Sequence, residues 1–253
     1  MIRTHELCIG HTNALARLGN LTFENGEFIG IIGKNGIGKT TLLKTLAGLL
    51  PPVGGAFFIG KTRHNEIKRA EISRQTAMLL TDEIAVRHIS VWQMAAYGRY
   101  PYHDNSCHFT EKDKLIIGNA VRAMGMAELS DTPFDCLSDG EKQKTLIAKT
   151  IAQDTENILL DEPTSHLDLP SKIKTLIFLK EWARKNKKCV IFSIHETELA
   201  FQTADKILFL HNGKATFGTA HDIAACDDFK RDFLDENITF NLENMKFDIH
   251  WPQ

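Results

Sequence analysis

Residues 28–48, FIGIIGKNGIGKTTLLKTLAG, constrain the fold more than any other stretch of the chain. An apolar run (Phe28, Ile29, Ile31, Ile32) stops at a glycine-rich loop, and Thr40 to Leu46 continue with helical spacing. Gly33, Gly38, Lys39 and Thr40 satisfy GxxxxGK[ST]. Glycines let the backbone turn its N–H groups inward toward phosphate oxygens, and the following helix adds the positive end of its dipole. Lys39 is expected to reach the β/γ-phosphates and the Thr40 hydroxyl to take one Mg²⁺ position. The plainer alternative is a glycine turn before a helix. The strand–loop–helix order favours a phosphate-binding loop in an α/β fold.

At 253 residues with 43% hydrophobic side chains, the chain can form one α/β unit or a core with a small subdomain. A net charge of −2 gives no general basic footprint for nucleic acid. Cys8, Cys107, Cys136, Cys189 and Cys226 are odd in number, scattered and free of CxxC spacing, which suits a reducing compartment. The first ten residues lack an apolar signal core and no apolar run approaches ~18 residues, so the chain is not expected to cross a membrane by itself.

Residues 1–32 read as short strands, with apolar runs at 7–9 and 21–23; further strands are expected at 56–59, 158–160, 189–194 and 207–210, and 77–80 is an apolar run. Asn212–Gly213 predicts a tight hairpin to a strand at 215–217. Residues 66–74 look helical. Helical spacing also fills 91–97, 111–124 and 141–152, which suggests a helical subdomain inserted in the core. Ile173, Leu176, Ile177, Leu179 and Trp182 mark another amphipathic helix. The last residues alternate and predict a hairpin turning near Glu243–Asn244, with an isolated edge strand as the alternative. The expected divisions are 1–85 and 146–225 for the core and its N-terminal β part, 86–145 for the helical part and 226–253 for a tail.

Two further stretches carry chemistry. Asp161 and Glu162 end a buried-strand run; the first suits a hard cation and the second can polarise an attacking water. Ser138 and Glu141 stand at capping-box spacing before a helix, and that capped end, beside Gly140, is also a second anion site.

Residues 33–40, 137–142, 158–163, Ser165-His166-Leu167-Asp168 and His195 together resemble the Walker A loop, signature sequence, Walker B strand, D-loop and switch histidine of an ATP-binding-cassette (ABC) ATPase. The resemblance spans about residues 5–225. It implies a P-loop NTPase core with a helical insertion and an antiparallel β subdomain, using ATP and Mg²⁺. Asn35, Gly36, Gly38, Lys39, Thr40 and Thr41 would bind ATP, with Thr40 and Asp161 on the metal. Glu162 would be the general base, and His195 would contact the γ-phosphate. Ser138, Asp139, Gly140 and Glu141 would meet ATP held by the second copy of a head-to-tail homodimer. Ser165 and Asp168 fall in the D-loop, where helix capping is the plainer role.

Three positions depart from the family pattern. His11 stands where an aromatic ring usually stacks on adenine. LSDGE replaces LSGGQ, so Asp139 is expected to face away from phosphate. Thr81 stands where a glutamine normally touches Mg²⁺. The stretch Tyr97-Gly98-Arg99-Tyr100-Pro101-Tyr102-His103 resembles the GRxPH-like segment of importers of iron–siderophore, haem and vitamin B12; an aromatic turn closing a helix is its plainer reading. A solitary cassette of this kind resembles the ATPase subunit of a prokaryotic importer. It would sit on the cytoplasmic face of the inner membrane, on integral permease subunits served by an external substrate-binding protein. A soluble ABC-type ATPase outside transport is the alternative.

Overall fold

The computed structural model describes residues 1–80, 86–103 and 108–251. Thirteen strands are found among them: β1 (Ile2–Gly10), β2 (Ala14–Leu18), β3 (Thr22–Phe23), β4 (Phe28–Ile32), β5 (Gly54–Ile59), β6 (Thr62–Arg63), β7 (Thr76–Leu79), β8 (Asn157–Leu160), β9 (Cys189–Ser193), β10 (Lys206–His211), β11 (Lys214–Gly218), β12 (Ile238–Asn241) and β13 (Lys246–Ile249). The α-helices are α1 (Lys39–Leu46), α2 (Arg69–Gln75), α3 (Val91–Ala96), α4 (Glu111–Ala123), α5 (Asp139–Ala152), α6 (Leu169–Asn186), α7 (Thr197–Thr203), α8 (Ala220–Ala225) and α9 (Asp227–Phe233).

Eleven strands share one mixed sheet in the order β6-β5-β1-β2-β11-β10-β4-β9-β8-β7, with β3 on β1. The antiparallel N-terminal strands are therefore continuous with the parallel core β10-β4-β9-β8-β7. β4 is apolar at every side chain because helices cover both faces. Phe28 and Ile32 join the layer holding α3, α5 and α6, while Ile29 and Ile31 join the layer holding α1.

The hairpin at Asn212 (φ 42) and Gly213 (φ 73) has the two left-handed residues that a tight β10–β11 turn requires. The terminal hairpin also forms, pairing Phe240 with Phe247. Phe201, Phe229, Phe240 and Phe247 pack together and hold it to the core.

One expectation needs correction. Residues 66–74 are not one helix: a 3-10 turn (His64–Glu66) ends, Ile67 and Lys68 are extended, and α2 starts at Arg69. Ile67 is buried, and drawing it into the core redirects the chain. β2 falls within the 1–32 stretch expected to form short strands, without an apolar run of its own to mark it. Only Ala16 and Leu18 of β2 are buried, a weak apolar signal that pairing with β1 supplements.

Helices α3, α4 and α5 pack together around a buried ion pair. Arg99 Nε donates to Asp113 Oδ1 at 2.9 Å. Arg99 Nη1 also donates to the Ala152 and Gln153 carbonyls at the end of α5 (3.1 and 3.2 Å), and its guanidinium lies 4.1 Å from the Tyr102 ring centre. Gly98 permits this approach, because a Cβ there would sit 2.2 Å from the Lys149 carbonyl oxygen. The GRxPH-like segment forms a 3-10 helix, Tyr97–Tyr102, with Arg99 as its anchor. Among the described residues, no helix is long and apolar enough to cross a membrane.

Candidate active site

Strands β4, β9 and β8 are parallel neighbours, so the segments leaving their carboxyl ends meet at one place. The phosphate loop leaves β4, Asp161 and Glu162 leave β8, and His195 follows β9. A cavity of about 220 Å³ opens there, lined by Asn35, Gly36, Gly38, Lys39, Thr40 and Thr41 together with Glu162 and His195.

Gly33 fits only as glycine: its φ is 144 and a Cβ would lie 2.5 Å from the Leu210 carbonyl oxygen. Lys39 is buried and its Nζ donates back to the Gly33 and Lys34 carbonyls at 2.8 and 3.4 Å. Burial pulls its ammonium below the usual lysine range, and the negative charges of Glu162 and Asp161 oppose that shift.

Thr40 Oγ1 donates to Asp161 Oδ1 at 3.1 Å, and Ser193 Oγ donates to the same oxygen at 2.7 Å. Ser193 is fully buried and also accepts the Glu162 N–H at 2.9 Å. A hydroxyl and a carboxylate converging beside a phosphate loop fit Mg²⁺, which takes few protein oxygens and completes its shell with phosphate and water. No group of three or more His, Cys, Asp or Glu suited to a metal is found among the described residues.

Glu162 has φ 47, an uncommon backbone state for a residue with a side chain. Its carbonyl accepts from Gln143 Nε2 (3.2 Å) and Ser165 Oγ (3.0 Å), which hold that conformation. Its carboxylate Oε1 lies 2.6 Å from His195 Nε2. Glu196, next in sequence, pairs with Lys172 of α6.

The residues at 138–141 do not line this cavity. Ser138 caps α5, with its N–H and Oγ both donating to Glu141 Oε2 (2.9 and 2.6 Å). Asp139 turns outward, with Lys142 Nζ 3.5 Å away. Gly140 faces the D-loop: a Cβ there would lie 3.3 Å from Leu167 Cδ2 and 3.5 Å from the His166 carbonyl. Asp168 caps α6 by accepting the Ser171 N–H at 2.8 Å. His11 is exposed in the turn after β1 and is not brought to the cavity, whereas Leu15 Cβ lies 3.6 Å from where a Gly38 Cβ would stand. Thr81 lies outside the described residues.

Ser193 and Gln143 were missed from the sequence. Ser193 had one available signal: a lone hydroxyl closing the otherwise apolar run CVIFS two residues before the histidine.

The family model described as ABC transporter matches residues 18–165, more than half of the chain. This chain belongs to the ABC transporter family. As an ABC-type ATPase, it carries the family's ATP-binding and ATP-hydrolysing domain. It is 33% identical over 249 residues to an ABC transporter ATP-binding protein of Methanocaldococcus jannaschii, covering 98% of this chain and 83% of that one. It is 37% identical to the achromobactin transport ATP-binding protein of Dickeya dadantii, covering 85% and 80%. The ferric enterobactin transport ATP-binding protein of Escherichia coli is 34% identical, with 77% and 73% covered. The fold of the ABC ATPase matches that of a metal-chelate type ABC transporter in an inward-facing conformation, with a TM-score of 0.76 and 24% identity over 98% and 95% of the chains.

Proposed function

We propose that this ABC ATPase powers a prokaryotic importer of iron–siderophore, haem or cobalamin-type chelates. It would work as a homodimer on integral permease subunits at the cytoplasmic face of the membrane, with an external binding protein delivering the substrate. The relatives named for achromobactin and ferric enterobactin transport support this reading, as does a relative named for cobalamin import. The resemblance of residues 97–103 to the GRxPH-like segment of such importers supports it further.

One observation carries the proposal: the loop, Glu162 and His195 share a cavity that the 138–141 segment does not reach. A single copy therefore lacks a lid over its triphosphate, and the α5 N-terminus of a second copy would supply donors there. Lys39 holds the β/γ-phosphates once its ammonium leaves the loop carbonyls. Thr40 and Asp161 hold Mg²⁺, which when bound supplies positive charge to the same phosphates. Glu162 takes the proton of the attacking water, and His195, 2.6 Å from its carboxylate, contacts the γ-phosphate and braces that geometry. When that link between the copies is lost, the dimer opens and the permease follows.

The decisive experiment is Glu162→Gln in the full chain. Gel filtration with ATP and Mg²⁺ should show a stable dimer, and phosphate release should fall at least ~100-fold. Hydrolysis at the parental rate would remove Glu162 as the base. Co-purification with a membrane permease tests the transport role, and recovery with a soluble partner alone would favour the non-transport alternative.

A further inference from the structure

A second cavity, of about 250 Å³, lies away from the phosphate loop, where the end of α4 and the body of α5 meet α6. Lys144 reaches it from α5 and Lys174 from α6. Neither ammonium has a hydrogen bond or ion pair within the described residues. Thr175, a residue only 5% exposed, lines the same space, and its hydroxyl has no hydrogen-bond partner among the described residues. This is unusual within the chain: Thr45, Thr145, Thr150 and Thr203 each donate to the carbonyl four residues back in their helix, and Thr175 does not. The Thr175 oxygen is not sealed from solvent, so it is available to donate to a ligand in the cavity. Ser171, one helical turn earlier, lines the cavity as well. Met124 and Phe178 complete an apolar side.

We infer that this cavity is a binding site for a small organic oxyanion carrying at least two negative charges. Two lysines balance a dianion, two hydroxyls donate to its oxygens, and the Met124–Phe178 side accepts its carbon skeleton. The nearby carboxylates of Glu141 and Asp168 are already engaged in helix caps: hydrogen bonds from Ser138 and Ser171 do most to lower their pKa values, and Lys144, joined by Lys174 at Asp168, adds a smaller lowering. Those caps begin α5 and α6, so a bound anion would tie the helical part of the chain to the core one to two turns from the 138–141 and 165–168 segments. The site stands on its own geometry and does not depend on the transport reading.

The test separates this site from the phosphate loop by using the full chain carrying Lys39→Ala, without Mg²⁺. Amide NMR shifts are followed during titration with inorganic phosphate in one arm and citrate in the other. Saturable shifts centred on Thr175 and Phe178 are expected. A response to phosphate identifies a phosphate-bearing ligand, and a response to citrate alone identifies a polycarboxylate. Adding Lys144→Gln or Lys174→Gln should weaken the response about tenfold each. Thr175→Val, nearly the same shape, should weaken it while leaving the melting temperature within a few degrees. No saturable shift with either probe, or shifts that survive both lysine substitutions, would overturn the assignment.

Discussion

Glu162 Oε1 and His195 Nε2 stand 2.6 Å apart although they leave different strands, β8 and β9. Strand pairing therefore sets the relation between proposed base and proposed switch residue, and it does so with Leu160 opposite Phe192. His195→Ala should lower steady-state phosphate release by about 100-fold or more while equilibrium titration with an ATP analogue stays close to parental. Release within twofold of the parent would detach His195 from the chemistry.

Ser193 serves two catalytic segments at once, through Asp161 Oδ1 and the Glu162 N–H. Ser193→Ala should leave the Glu162 N–H without this acceptor and take one donor from Asp161 Oδ1, at a cost of about 1–3 kcal/mol of stability. Thermal unfolding should show the loss, and half-maximal activity should require more Mg²⁺. An unchanged melting temperature with an unchanged Mg²⁺ requirement would make the hydroxyl dispensable.

Burial alone would raise the Asp113 pKa, but hydrogen bonds from Thr110 and Arg99 outweigh it and hold the carboxyl at about 2. The folded pKa is depressed, so the linked stability is present above the ordinary value of 3.8 and is lost as pH falls toward 2. That contribution is about 2 kcal/mol. The melting-temperature gap between parent and Asp113→Asn should be constant near neutral pH and narrow below about pH 4. A gap that persists unchanged to pH 2.5 would exclude this carboxylate as the source.

Lys34 in the phosphate loop pairs with Asp232 of α9 at 3.1 Å, and the Phe247 N–H donates to Glu198 of α7 at 2.7 Å. The C-terminal segment thus touches both the phosphate loop and the helix after His195. Because Lys34 is exposed, Asp232→Ala should change overall stability by less than about 1 kcal/mol. Its effect should fall on KM for ATP, raised about two- to threefold, with kcat preserved. Equal falls in kcat and kcat/KM would point to a transition-state contact instead.

The phosphate loop, Asp161, Glu162 and His195 were readable in sequence because each local run needs a particular residue type. Their convergence required the strand order β4-β9-β8. Ser193 and Gln143 were not readable, since a buried hydroxyl or amide acquires meaning only from the groups folding brings to it. The capping spacing of Ser138 and Glu141 was visible, but not that the box engages the serine hydroxyl itself. His11 was placed by resemblance, and the cavity wall does not include it. The break at Ile67 is likewise invisible to periodicity, because one buried side chain overrides the local helical preference.

β4 lies between β9 and β10, yet both neighbours follow the whole helical insertion in the chain. A ribosome making this protein releases the phosphate loop early and its supporting strands late. The nascent loop has no sheet to rest on through most of translation, and long-range closure of this kind is slow. The nucleotide pocket is consequently among the last parts to mature, which makes ATP a natural late stabiliser of newly made chains.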